Sequence, residues 1–285
     1  MSLDSMKPLG LLLFVISLSA TSFPPAPAPA RASTRHAQIE LLSQTRGVSA
    51  NQPLWLGVRF LLEKGWHIYW VNPGDSGQPP VLHWKLPPGF SPGEIGWPRP
   101  ELIRNSQIAD YGYDGDILLL VPVRVPAQLS TNPAEIAVEI NWLICREVCL
   151  PEHTFLQRSL PVLDRAVPDP IAARLIADAK RLLPRPWPRN WTVRADSRRG
   201  SFLLTVDTGH AVRDVHFFPL IPDQVENSAP QAVEPLARGA RLTLRKSDLL
   251  MQPVRVLQGV LVVGGNDSFR IAVPVSGRTD AVLRY

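Results

Sequence analysis

Thirty prolines are scattered through 285 residues, roughly twice the ordinary share of about 5%. Proline lacks a backbone donor and clashes with the preceding helical turn, so it breaks helices. At this density few windows remain for a long helix, which excludes a helix bundle or a coiled coil. Eight tryptophans and 45% hydrophobic residues exclude wholesale disorder. Two cysteines cannot staple a chain of this length, so the fold must rest on hydrophobic cores. The length suits two cores better than one.

The formal net charge of +5 and pI near 9.5 raise the question of an anionic partner. The arginines, however, are spread along the chain and alternate with acids. No segment has the basic run or basic–aromatic interleaving of a phosphate-tracking groove. The charge reads as a solvated surface, and no nucleic-acid partner is expected.

Lys7 precedes an apolar run from Leu9 to Ala20. That run falls short of the roughly 20 residues that span a bilayer and has the length of a signal-peptide core. Residues 1–22 are expected to be a signal peptide with a cleavage box at Ala20-Thr21-Ser22; an uncleaved anchor is the alternative. Residues 23–35, rich in proline and alanine, read as a stiff spacer. No long apolar run follows, so no membrane span is expected in the mature chain. Export places the cysteines in an oxidising or redox-managed compartment, and the periplasm is the expected location.

From His36 onward short apolar runs alternate with Pro and Gly signals. Strands are expected at Ala37–Leu41, Leu54–Leu62, Trp66–Trp70, Val81–Leu86, Ile117–Val125, Glu135–Cys145 and Thr154–Val162. Glu63-Lys64-Gly65 reads as a hairpin turn. In the Glu135–Cys145 run, Ile136, Val138, Ile140, Trp142 and Ile144 share one face. Cys145 then falls on the other face, where a thiol is reachable. One helix is expected, Pro170–Leu183, with Asp169 as N-cap, Pro170 in the first turn and Pro184 ending it. Strands resume at Trp191–Ala195, Ser201–Asp207, Val212–Phe218, Arg241–Arg245, Val254–Val263 and Phe269–Val275. The fold class is therefore all-β, two β-sandwich domains joined by a short helical and proline-rich connector. The expected bounds are 36–165 for the first, 166–190 for the connector and 191–276 for the second, with a tail at 277–285.

The site-like feature is Cys145-Arg146-Glu147-Val148-Cys149-Leu150-Pro151-Glu152. Three readings compete. A purely structural disulfide over so short a loop contributes roughly 2 kcal/mol in the chain-entropy picture, which a domain with a full core hardly needs. A metal site would use Cys145, Cys149 and His153, spaced for one helix face, but Pro151 breaks that helix; copper is the metal such a soft set suits. A redox pair is the third reading, because small-loop, accessible disulfides tend to be labile. Arg146 would favour a thiolate and Glu147 would oppose it; His153 is the histidine to test as a thiol partner. Trp66, Trp70, Trp84 and Trp142 read as packing residues, and His67 and His83 as satisfied strand histidines. Asn72–Gly77 is a turn-rich loop without a phosphate-loop ending. Ser76 and Ser106 have no His/Asp arrangement, so hydrolase chemistry has no support.

Several segments resemble the N-terminal periplasmic domain of the DsbD family of thiol:disulfide interchange proteins, in its ScsB-like, copper-tolerance branch. They are Gly65-Trp66-His67-Ile68-Tyr69-Trp70, Asn72-Pro73-Gly74-Asp75-Ser76-Gly77, Asp110-Tyr111-Gly112-Tyr113-Asp114-Gly115 and Trp142 to Glu152. In the second half, His216-Phe217-Phe218-Pro219 and Ala229-Pro230-Gln231 match as well. The resemblance implies immunoglobulin-like folds and a cysteine pair that cycles between dithiol and disulfide. It implies that Cys149 forms the mixed disulfide with a partner and that Cys145 resolves it. It also implies a loop, here Asp110 to Asp114, that caps the pair and opens on docking, with Asp110, Tyr111, Tyr113 and Asp114 as the candidate residues. Tyr111 would be the shield, and the two carboxylates would raise the thiol pKa. The implied partners are periplasmic thioredoxin-like oxidoreductases and a separate membrane electron donor, since the family's membrane-spanning and thioredoxin-like regions have no counterpart in this sequence. Neither organic cofactor nor metal is required. The alternatives left open are a non-catalytic docking module for redox or copper-handling partners, with a structural disulfide, and a copper-binding protein.

Overall fold

The computed structural model describes residues 30–105 and 108–277. The expected signal peptide, residues 23–29 of the spacer, Ser106 and the tail beyond Gly277 lie outside the described residues. The first half contains strands β1 (Arg31–Ser33), β2 (Ala37–Ser43), β3 (Leu54–Leu62), β4 (His67–Gly74), β5 (Val81–Lys85), β6 (Ser91–Pro92), β7 (Glu101–Asn105), β8 (Ile108–Asp114), β9 (Asp116–Arg124), β10 (Ala134–Cys145) and β11 (Cys149–Leu160). Helix α1 (Pro170–Arg181) follows. The second half contains β12 (Arg185–Pro186), β13 (Thr192–Arg198), β14 (Ser201–Asp207), β15 (Val215–Pro219), β16 (Ala232–Leu236), β17 (Gly239–Arg245), β18 (Val256–Val263) and β19 (Asp267–Ser276).

The first half is a sandwich of two sheets, β1-β2-β3-β9-β6 and β11-β10-β4-β8-β7, with β5 added along β10. Period-two alternation builds its core: Leu56, Val58 and Phe60 of β3 meet Ile68 and Trp70 of β4 and the Ile136-to-Ile144 row of β10. The near-continuous apolar run in β9 has a separate cause. Ile117, Leu119, Val121 and Val123 enter the core, while Leu118 and Leu120 point outward and are covered by Ile176 and Ala179 of α1. A strand covered on both faces loses its alternation. The helix itself starts where the sequence signals it: the Asp169 carboxylate accepts from the N–H groups of Ile171 and Ala172, satisfying donors that the first turn leaves without helical partners.

Three expectations are corrected. Glu63-Lys64-Gly65 is not a hairpin turn, because β3 pairs with β2 and β9 whereas β4 pairs with β8 and β10. The turn carries the chain from one sheet to the other, so that the apolar faces of β3 and β4 can oppose each other across the core. Asp110–Asp114 is not a loop but most of β8, held between β4 and β7. Its tyrosines are buried, and the ladders on both sides satisfy the backbone groups buried with them. Within the expected spacer, Arg31–Ser33 form β1 against Gln38–Glu40 of β2.

The second half folds as a second sandwich, with strand order β15-β18-β19-β13-β14-β17-β16. Phe202, Leu204, Phe217, Leu242, Leu261 and Ile271 fill it. The two cores touch. Phe217 of β15 faces the second core, while the next residue, Phe218, joins Val260 and Val262 in the first. Gln231 fixes this edge: its side chain accepts from the Phe217 N–H and donates to the Phe217 carbonyl. No helix among the described residues is long and apolar enough to cross a membrane.

Candidate redox site

The cysteines face each other across the open end of the β10–β11 ladder, at register Cys145↔Cys149. Arg146-Glu147-Val148 closes the hairpin, with Arg146 N–H donating to the Val148 carbonyl. The two sulfurs are joined as a disulfide, 2.04 Å apart. Their exposures differ. Cys145 is 2% exposed, while Cys149 is exposed and follows Val148, which is 61% exposed. Strand parity puts Cys145 on the face away from the core as expected, yet that face is covered there, so Cys149 is the reachable sulfur.

The covering comes from β4 and the segment after it. Cys145 pairs with His67 and His67 with Asp114, and directly opposed residues share a sheet face. His67, Tyr69, Asp110 and Asp114 therefore line the cysteine face. The Tyr69 hydroxyl lies 3.4 Å from Cys149 Sγ; a disulfide sulfur carries no hydrogen, so the phenol is the donor. Tyr69 is 1% exposed, and the ring of His67 packs against it edge to face at 5.3 Å. Above the ring passes the Asn72–Gly77 segment. A Cβ placed on Gly77 would stand 2.1 Å from Tyr69 Cζ, so only glycine lets the backbone cross the ring this closely.

Electrostatics on this face are set by burial. Burial raises the Tyr69 phenol above its usual pKa, with the Ser76 hydroxyl opposing part of the shift. The phenol therefore stays protonated at neutral pH and keeps its proton for the sulfur. Burial also raises the Asp110 carboxyl, although Ser76 donates to it from both its N–H and its hydroxyl at 2.8 Å. Burial lowers His67, against the pull of Asp110 and Asp114, and its Nε2 has no hydrogen-bond partner. His67 is thus not the satisfied strand histidine the sequence suggested.

The four expected cap residues separate by the period of β8. Asp110 and Asp114 fall on the cysteine face. Tyr111 and Tyr113 fall on the core face and are 1% and 3% exposed. Tyr111 packs on Trp70 and Phe218 and donates to Asn227 Oδ1 at 3.0 Å; Tyr113 donates to the Pro98 carbonyl at 2.8 Å. Tyr111 therefore does not shield the pair. Tyr69 contacts it instead, and the signal was present in the sequence: His67 and Tyr69 alternate with the core residues Trp66, Ile68 and Trp70. Arg146 rests over the Trp66 ring at 5.2 Å. His153 pairs with Glu139 at 3.2 Å, four residues along β11 from Cys149. A cleft of about 410 Å³, lined by Trp70, Trp97, Leu183, Leu220, Val260 and Ile271, includes neither cysteine.

Two stacked β-sandwiches, the first presenting a disulfide at the tip of a hairpin under a tyrosine, define an immunoglobulin-like protein with a thiol–disulfide site. The family model described as thiol:disulfide interchange protein DsbD, N-terminal, matches residues 38–161, and the first sandwich is a DsbD N-terminal domain. The matched family is one of thiol:disulfide interchange proteins, and the Cys145–Cys149 disulfide lies inside the matched residues. No curated protein sequence matches the chain. The structure is similar to the N-terminal periplasmic domain of ScsB from Proteus mirabilis, with a TM-score of 0.66 and 15% identity, over 87% of this chain and 99% of that one. The fold of both sandwiches is thereby shared. The yeast GGA1 GAE domain and the Bacillus subtilis sporulation control protein Spo0M give TM-scores of 0.25 and 0.21, at 14% and 10% identity. They cover 46% and 85% of this chain, and 95% and 91% of their own. Neither carries an argument.

Proposed function

We propose that the chain is the exchange component of a periplasmic protein-disulfide reductase system, working through Cys145 and Cys149. The observation that carries this reading is the asymmetry of the pair: one sulfur exposed beside a phenol donor, the other buried behind it. In the dithiol state the Cys149 thiolate attacks one sulfur of a partner's disulfide. A mixed disulfide forms and the partner's other sulfur leaves as a thiolate. Cys145, as thiolate, then attacks Cys149 Sγ, which restores the intramolecular disulfide and releases the partner's second thiolate. Two electrons and, after protonation, two protons pass to the partner. A separate membrane donor recharges the pair by the same steps in reverse.

Tyr69 serves this exchange by donating to the thiolate of Cys149, and hydrogen bonding to the charged form favours it. Asp110 and Asp114 oppose ionisation from the same face. The partners that fit are thioredoxin-like oxidoreductases, whose own cysteines must reach an exposed hairpin tip flanked by Val148. Copper handling would enter through such partners.

A redox titration in glutathione or dithiothreitol buffers tests the reading. The expected midpoint lies above about −300 mV, because structural disulfides of exported proteins lie below that value. Cys145→Ser is expected to trap a partner through Cys149, and Cys149→Ser is not. A bond that resists reduction until the fold melts would leave a docking module with a structural disulfide.

A further inference from the structure

The segment that crosses Tyr69 is held from both sandwiches. From the first, Asp75 Oδ2 accepts from the Ala109 N–H at 2.7 Å, and Asp110 takes both donors of Ser76. From the second, the Pro219 carbonyl accepts from Asn72 Nδ2 at 2.7 Å, and Asn72 is fully buried. Asn227 completes the grip: its Nδ2 donates to Asp75 Oδ1 at 2.9 Å, and its Oδ1 accepts from the Tyr111 hydroxyl at 3.0 Å. Arg104 adds a bond to the neighbouring Ser228 carbonyl at 3.3 Å. A continuous path therefore runs from Asn227 through Asp75 and the crossing backbone to Gly77, then to the Tyr69 ring and Cys149 Sγ.

Resting on the exchange reading above, we propose that Asn227 of the second sandwich is a positioning residue for the Cys145–Cys149 exchange, because it holds the Asn72–Gly77 segment closed over Tyr69. This gives the second sandwich a task in the reaction: it sets how far Tyr69, and with it the approach to Cys149, is confined. The segment has two glycines at positive φ, Gly74 at 92° and Gly77 at 75°. Its own backbone therefore does not lock its path, and side-chain anchors from outside are needed. A partner or second-domain movement that breaks the Asn227–Asp75 bond frees the roof without touching either cysteine.

The test is the rate at which dithiothreitol reduces the disulfide in the folded chain, followed by alkylation of the freed thiols, with the melting temperature recorded for every variant. N227A loses both hydrogen bonds and is expected to be reduced about fivefold faster. N227D places a carboxylate against Asp75 and is expected to gain about tenfold. The double variant D75N/N227D exchanges donor and acceptor: Asn at 75 accepts from Ala109 and donates to Asp at 227. It is expected to return to within about twofold of the parent rate. Single variants that melt earlier yet are reduced at the parent rate overturn the proposal, as does a double variant that fails to recover. A parent disulfide that resists reduction while folded overturns the exchange reading together with it. A reducible parent with indifferent variants overturns the positioning role alone.

Discussion

The two sandwiches are built alike and used differently. Each has alternating strands around one core, and each turns an edge toward the other. On the outer sheet face of the first lie a disulfide, a buried phenol, a buried carboxyl and the half-buried His67. The second has no cysteine. Its contribution lies in what it extends across the boundary: Phe218 into the first core, the Pro219 carbonyl to Asn72 and Asn227 to Asp75. The comparison teaches that the surroundings of a disulfide in one domain can include hydrogen bonds and packing supplied by the other.

The largest expected effect breaks the comparison at its source. Cys149→Ser should abolish exchange with any thioredoxin-like partner, while circular dichroism shows both sandwiches intact, since a short-loop disulfide adds only about 2 kcal/mol. Next come the neighbouring phenylalanines. Phe217→Ala and Phe218→Ala should each cost about 3–5 kcal/mol in urea unfolding. Under folding conditions only Phe218→Ala should also speed disulfide reduction, because only Phe218 packs on Tyr111 and Trp70. Equal reduction rates for the two variants would mean that the contact between the cores does not reach the site.

A smaller effect belongs to His216, which packs edge to face on Phe218 at 4.5 Å, has an unpartnered Nε2 and faces Arg104 and Asp214. Burial, with Arg104 adding to it, lowers its pKa to about 4. The folded form thus holds fewer protons than the unfolded chain below pH 6.5. Stability from this group is complete above 6.5 and is lost as pH falls toward about 4. Unfolding midpoints measured across that interval should decline, and His216→Asn should flatten the decline. The smallest effect is Tyr69→Phe. It should raise the Cys149 thiol pKa by less than about one unit, read from the pH profile of iodoacetamide alkylation. An unchanged profile would remove the phenol from the mechanism.

Much of this was legible in the sequence where the cause is local. The bounds of β3 and β14 match those expected from alternation, Leu54–Leu62 and Ser201–Asp207. Asp169 and Pro170 start the helix as their capping chemistry requires, and counting by twos set the correct face for Cys145. The errors arose where the cause is distant. The connection at Glu63–Gly65 resembles a hairpin locally and is decided by which sheet the next strand must oppose. Tyr111 looks like a cap residue until its strand neighbours and Phe218, more than 100 positions away, bury it. Alternation reports the face that Tyr69 occupies, but not the crossing of Gly77 above it or the contact with Cys149 beside it.

Phe217 and Phe218 are consecutive, and each completes a different core. The second sandwich is therefore not an independent module: its edge strand supplies part of the first core. A graft that kept its fold but lacked Phe218, the Pro219 carbonyl and Asn227 would leave the recipient with an intact hairpin and an unroofed tyrosine.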